Sequence, residues 1–344
     1  MSEPLNDPNI APPDEQATRP AANEEPSKPR RKLGQGLGRI LHHIAYQTWG
    51  NPIVLKELRG RMRGWRAAVV LIIHLLTLGC FASFIYLVVA QSVSSSGSGS
   101  AGQTMGQTLF YSSYLMLLVL VVFLSPAFTA GAISGERERK TIDLLVTTLL
   151  PSTSLVLGKL ISALAYIVLL ILAALPIQSL AFMFGGVVLS EMVIGTILLL
   201  VTALAAGSVG ILISSIMKSS IASTVLTYAV ILLTTMGLPI MSGIVLSFLG
   251  AMFGTFLDTI DWFWQTVLLY LGGLFICINP FATAFTTKMI QESEDTYFFF
   301  TTTVGNNAYT VPLISPWIVY TLFYIALSAL LVLISILVVY RKRG

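Results

Sequence analysis

The chain has 344 residues, of which 55% are hydrophobic and only 10% charged, with a formal net charge of +4. A soluble domain of this length does not need that much apolar surface, and several apolar runs exceed the ~18 residues that mark a transmembrane helix. Composition therefore excludes a soluble enzyme and gives no reason to expect a nucleic-acid partner. The two cysteines, Cys80 and Cys277, lie inside apolar runs and form neither a disulfide framework nor a metal-ligand pair.

In chain order, residues 1–32 read as a disordered tail. Positions 1–27 are acidic and proline-rich, with too few bulky apolar groups to offset the entropy of ordering, and KPRRK follows at 28–32. The start does not read as a signal peptide, so the first apolar run is expected to remain as a span. Over 33–66, Leu33, Leu37, Ile40, Leu41 and Ile44 share one helical face beside Arg39, His42 and His43. That pattern predicts an amphipathic helix lying in the membrane interface.

A transmembrane domain is expected over 67–340. Its six spans fall at about 67–90, 109–133, 160–184, 192–216, 221–243 and 316–340. The segment 244–315 holds two further apolar stretches, one short and one interrupted by Gly272, Gly273 and Pro280. They suit either a re-entrant outer element or two extra spans, which would make eight. β-forming residues on both sides of Gly305-Asn306-Asn307, over 296–311, predict a small exposed hairpin. The fold class is thus an all-α polytopic membrane protein of six or eight helices. With both termini in the cytoplasm, every Lys and Arg except Lys288 falls on the inner side, as the positive-inside rule requires. An odd number of spans would break that pattern.

The spans contain no Lys or Arg and no carboxylate near mid-depth, which argues against a carrier coupled through an intramembrane acid. His74 is the one titratable group well inside a span. It is read first as a packing residue and second, with Gln178, as a contact on a substrate path. No HExxH motif, paired intramembrane aspartates or Cys–His pair points to catalysis. No phosphate-binding Gly-x-x-x-x-Gly-Lys-Ser/Thr loop occurs, so the chain is not expected to hold ATP phosphates itself. Ala206, Gly210 and Ser214 recur every four residues, a spacing that lets helix backbones approach. Packing within the bundle is the simpler reading, a dimer seam the alternative.

The informative segment is the loop 134–159. GERERKTIDLLVTTLLPSTSLVLGK crowds its charges at one end, then places Ile142, Leu145 and Leu149 at helical spacing before Pro151. The pattern predicts a short amphipathic helix, a proline stop and re-entry into the membrane at Lys159. Its leucines could rest on the bilayer surface, but a connector needs only a few residues, and such a helix suits a protein groove. Glu136, Thr141, Leu144–Leu145, Pro151–Ser152 and Gly158–Lys159 resemble the cytoplasmic loop of ABC-2 type permeases, the membrane subunits of ATP-binding cassette exporters. NPIVLKELRGRMRGW before the first span and NPFATAF at 279–285 are similar too.

The resemblance implies six spans, an interfacial N-terminal helix and a re-entrant element before the last span. It also implies that the loop is a coupling helix docking on a separate ATPase subunit, present in two copies, which binds the ATP and magnesium. Docking would fall to Glu136, Arg137, Arg139, Lys140, Ile142 and Leu145, supported by Glu57 and Arg59. A second permease copy or a paralogue would complete the transporter in the plasma membrane. The alternative function is a non-transporting membrane scaffold that recruits some other cytoplasmic protein through this loop.

Overall fold

The computed structural model describes residues 59–60, 65–96, 101–140, 152–241, 243–244, 247–248, 262–294, 296–304 and 309–341. The expected tail, most of the interfacial helix and most of 242–261 lie outside the described residues.

Six helices are long and apolar enough to cross a bilayer. They are α1 (Trp65–Ser96), α2 (Ala101–Thr129), α4 (Ser152–Phe184), α5 (Leu189–Ile216), α6 (Ser220–Leu232, prolonged to Met241 through a π-helical turn at Leu233–Gly237) and α9 (Pro316–Arg341). Three shorter helices complete the described set: α3 (Ser134–Glu138), α7 (Trp262–Ile276) and α8 (Pro280–Glu294). The 15 residues of α7 reach only about 22 Å, short of the ~30 Å hydrocarbon core. The chain is an all-α polytopic membrane protein with six membrane-spanning helices among the described residues.

The middle of the bundle is α5, which packs against α2, α4, α6 and α9. Its sequence explains the position. Ala203, Ala206, Gly207, Gly210 and Ser214 remove side-chain bulk on the faces that meet neighbours, and in lipid such close approach replaces the hydrophobic drive. Added as a Cβ, one carbon at Gly210 would sit 2.1 Å from Thr129 Oγ1 on α2. Ser125 Oγ of α2 donates to the Ala203 carbonyl at 2.8 Å. The small-residue stripe is therefore filled by α2 inside the bundle. The largest buried cluster, with Leu117, Leu118, Ile167, Ile171 and Leu199, joins α2, α4 and α5.

Tyrosines tie the outer helices to this middle. Tyr166 donates to the Ala67 carbonyl of α1, Tyr228 to the Phe123 carbonyl of α2, and the Tyr320 and Thr202 hydroxyls meet at 2.7 Å across α9 and α5. Each such bond adds about 0.6 kcal/mol in a bilayer. The α4–α5 link turns at Gly185 and Gly186, both at φ 82, a conformation that disfavours any side chain. A Cβ on Gly186 would also strike Gln103 at 2.6 Å.

At the opposite end from α3, strands β1 (Phe299–Val304) and β2 (Tyr309–Ile314) pair antiparallel, with Thr302 opposite Val311. The hairpin expected near 296–311 forms, and its second strand runs on to Ile314. Trp317 Nε1 donates to the Tyr297 carbonyl at 2.6 Å, fixing the hairpin to the start of α9. The π-helical turn in α6 precedes Pro239, which lacks the N–H that its helix would aim at the Thr235 carbonyl. Asn279 Nδ2 donates to that carbonyl instead, while its Oδ1 accepts from the Phe281 and Ala282 N–H groups that open α8.

Candidate functional site

The charged loop begins where α2 ends. After Thr129 the chain turns through Ala130–Ile133 into the five residues of α3. Helix starts leave N–H groups without intrahelical partners. Here the Ile133 and Ser134 N–H groups both donate to Ser214 Oγ of α5, at 2.9 Å each. Ser223 Oγ of α6 donates to the Ala130 carbonyl. Beneath the corner, Ile133 packs in a buried cluster with Leu155, Val156, Leu160, Ile211 and Val339, drawn from α4, α5 and α9.

Three consecutive side chains of α3 then reach three different spans. Glu136 Oε1 accepts from Lys159 Nζ of α4 at 2.7 Å. The lysine side chain is only 4% exposed, so removing its carboxylate would leave a cation in low dielectric. Arg137 Nη1 donates to the Met217 carbonyl at 2.7 Å and Nη2 to the Ser215 carbonyl at 3.1 Å. Those carbonyls end α5, where the helix dipole is negative and the last C=O groups have no intrahelical donor. Glu138 Oε2 accepts from the Ser220 N–H at 3.3 Å, at the positive start of α6. Only Met217–Ser219 separate α5 from α6, so one helix end and one helix start lie side by side. An adjacent cation and anion match them.

The sequence nominees divide accordingly. Glu136 and Arg137 are engaged within the chain. Arg139 and Lys140 are exposed, and Lys140 holds φ 56, the one non-glycine residue at positive φ among those described. Ile142, Leu145 and Glu57 lie outside the described residues, as does the rest of the expected amphipathic helix. Arg59 is exposed. Sequence reasoning missed Glu138 and the roles of Ser214 and Ser223. The short link at 217–219 was the signal for Glu138, because it predicts two opposite helix termini in one place.

His74 is buried against α4 beside Leu170, whose carbonyl lies near the ring without hydrogen-bond geometry. Gln178 is buried eight residues further along α4, about 12 Å of helix away. The structure does not bring the two together. Two cavities flank α7. One of about 490 Å³ lies between α6, α7 and α8, lined by Leu238, Phe275 and Ala282 among others. The second, about 460 Å³, lies under the hairpin beside Tyr270, Cys277 and Val319. Both fall in the ~300–1,000 Å³ range of ligand sites and are lined mostly by apolar groups.

A family model described as an ABC-2 family transporter protein matches residues 51–340. No curated protein matches the chain.

Proposed function

The chain belongs to the ABC-2 transporter family and is an integral membrane domain of that kind; from that premise we propose that it is an exporter permease driven by a separate ATPase subunit. The observation that carries this reading is the wiring of Glu136, Arg137 and Glu138 to α4, α5 and α6. A loop meant only to connect α2 to α4 has no need to grip α5 and α6 as well. With the Lys- and Arg-rich side inward, α3 faces the cytoplasm, as do both termini, in the cell membrane. Arg139 and Lys140, with Ile142 and Leu145 beyond, present the surface for the ATPase.

ATP and magnesium belong to the partner, whose closure supplies the free energy. This chain's residues pass on the displacement. A pull on Arg139 and Lys140 moves α3, and its contacts carry the loop ends of α4, α5 and α6 as a unit. Packed cores respond to such shifts by switching between discrete arrangements. Two permease copies, or one with a paralogue, and two ATPase copies make the complete transporter. The apolar cavities beside α7 favour a lipophilic or amphipathic substrate.

The test is reconstitution in lipid nanodiscs with the cognate ATPase. The charge-reversed double variant Arg139→Glu/Lys140→Glu should lose most permease-stimulated ATP hydrolysis with an unchanged melting temperature, since both side chains are exposed. Full stimulation by the variant would overturn the docking assignment. Capture of a cytoplasmic protein other than an ATPase, with no stimulated hydrolysis, would favour a scaffold instead.

A further inference from the structure

A different cluster lies at the hairpin end, where α8 meets α2 and α5. Tyr114 of α2 and Thr287 and Gln291 of α8 are each more than nine-tenths buried. The Tyr114 hydroxyl, Thr287 Oγ1 and Gln291 Nε2 have no hydrogen-bond partner among the described residues. All three residues line one cavity of about 20 Å³, together with Tyr111, Glu191, Gly195 and Lys288. Gly195 keeps it open on the α5 side, since a Cβ there would lie 3.0 Å from the Tyr114 ring.

Size and chemistry select the occupant. A water needs a space of roughly 10–15 Å³ and two to four polar partners, whereas small-molecule sites begin near 300 Å³. The amide can only donate from Nε2, and the two hydroxyls can each donate or accept. A water balances that set by accepting from Gln291 and one hydroxyl and donating to the other. A cation is disfavoured by the Gln291 amide and by Lys288, whose Nζ sits 4.2 Å from the Tyr111 ring centre. An anion is disfavoured by the Glu191 carboxylate, which lines the same cavity.

We propose that this cavity is an internal hydration site, in which one water joins α8 to α2 and α5. The described structure supports such a role, because α8 packs chiefly on α9 and touches α5 sparsely. A water-mediated joint keeps buried polar groups satisfied while α8 shifts, since a water can exchange partners without a side-chain repacking.

Two measurements on the full chain in nanodiscs decide it. The first is millisecond X-ray hydroxyl-radical footprinting, which modifies side chains touching bound water even when they are buried. Tyr114 should be modified several-fold faster than Tyr320, which is as deeply buried but whose hydroxyl is bonded to Thr202. Equal or slower modification of Tyr114 overturns the proposal. The second is the melting temperature of Tyr114→Phe and Thr287→Val. Loss of a hydrated partner lowers it by roughly 2–4 °C. A dry cavity gives the opposite sign, because removing an unpaired buried hydroxyl stabilises; a rise, or no change, would therefore sink the hydration site.

Discussion

The two ends of the bundle solve the problem of buried polarity in opposite ways. At the α3 end, charges are matched one to one with helix termini and a buried lysine. At the hairpin end, buried hydroxyls and an amide lack partners within the described chain, and apolar cavities flank α7, none of whose residues is buried. The first arrangement is stiff, because each contact has one geometry. The second is compliant, because few contacts define it. On the function proposed above, the stiff end is where force would enter and the compliant end is where space would open.

The contrast can be broken most severely at Glu136. Glu136→Ala leaves Lys159 buried without its carboxylate and should cost about 3–5 kcal/mol, seen as loss of monodisperse protein in size-exclusion chromatography. The paired change Glu136→Met/Lys159→Met should recover much of that loss, since an apolar pair of similar volume avoids the desolvation cost. Next in size, Arg137→Gln removes both guanidinium bonds to the end of α5 and should cost about 1.5–3 kcal/mol. Arg137→Lys should restore only part of it, because one ammonium does not reproduce the planar fork.

Two glycines sharpen the comparison directly. Gly210→Ala at the packed α2–α5 seam drives a carbon into Thr129 and should cost about 1–3 kcal/mol. Gly273→Ala in α7, where a Cβ meets nothing within 4 Å, should be neutral or stabilising by up to about 1 kcal/mol. Thermal melts of the pair read the difference, and equal losses at both sites would erase it. The smallest effect belongs to Glu138→Gln, about 0.3–1 kcal/mol from an exposed anion at a helix start. That loss should shrink as salt is raised.

Much of this architecture was legible because membrane spans announce themselves by length and hydropathy alone. The ends of the spans were harder. Residues 101–108 are small and polar and read as loop, yet they extend α2, with Met105 and Gly106 buried against the end of α4. Likewise 152–159 read as the exit from the loop, although the stretch is helical and carries the buried Lys159. In both cases tertiary contact decides what local composition leaves open. The loop shows the same limit in its chemistry. Periodicity marks Glu136 and Arg137 as charged residues near a helix start, but whether such charges face a partner or their own chain depends on which helix ends stand nearby. Only Met217–Ser219, a link too short to separate two termini, carried that information in the sequence.

Asn279 joins two requirements in one side chain. Its oxygen receives the opening N–H groups of α8, and its nitrogen fills the gap that Pro239 leaves in α6. Aspartate and serine can do the first task but aspartate cannot donate for the second. Across relatives, position 279 should therefore avoid aspartate wherever 239 is proline, and admit it where 239 is not. The two positions would then be inherited as one character, though forty residues apart in the chain.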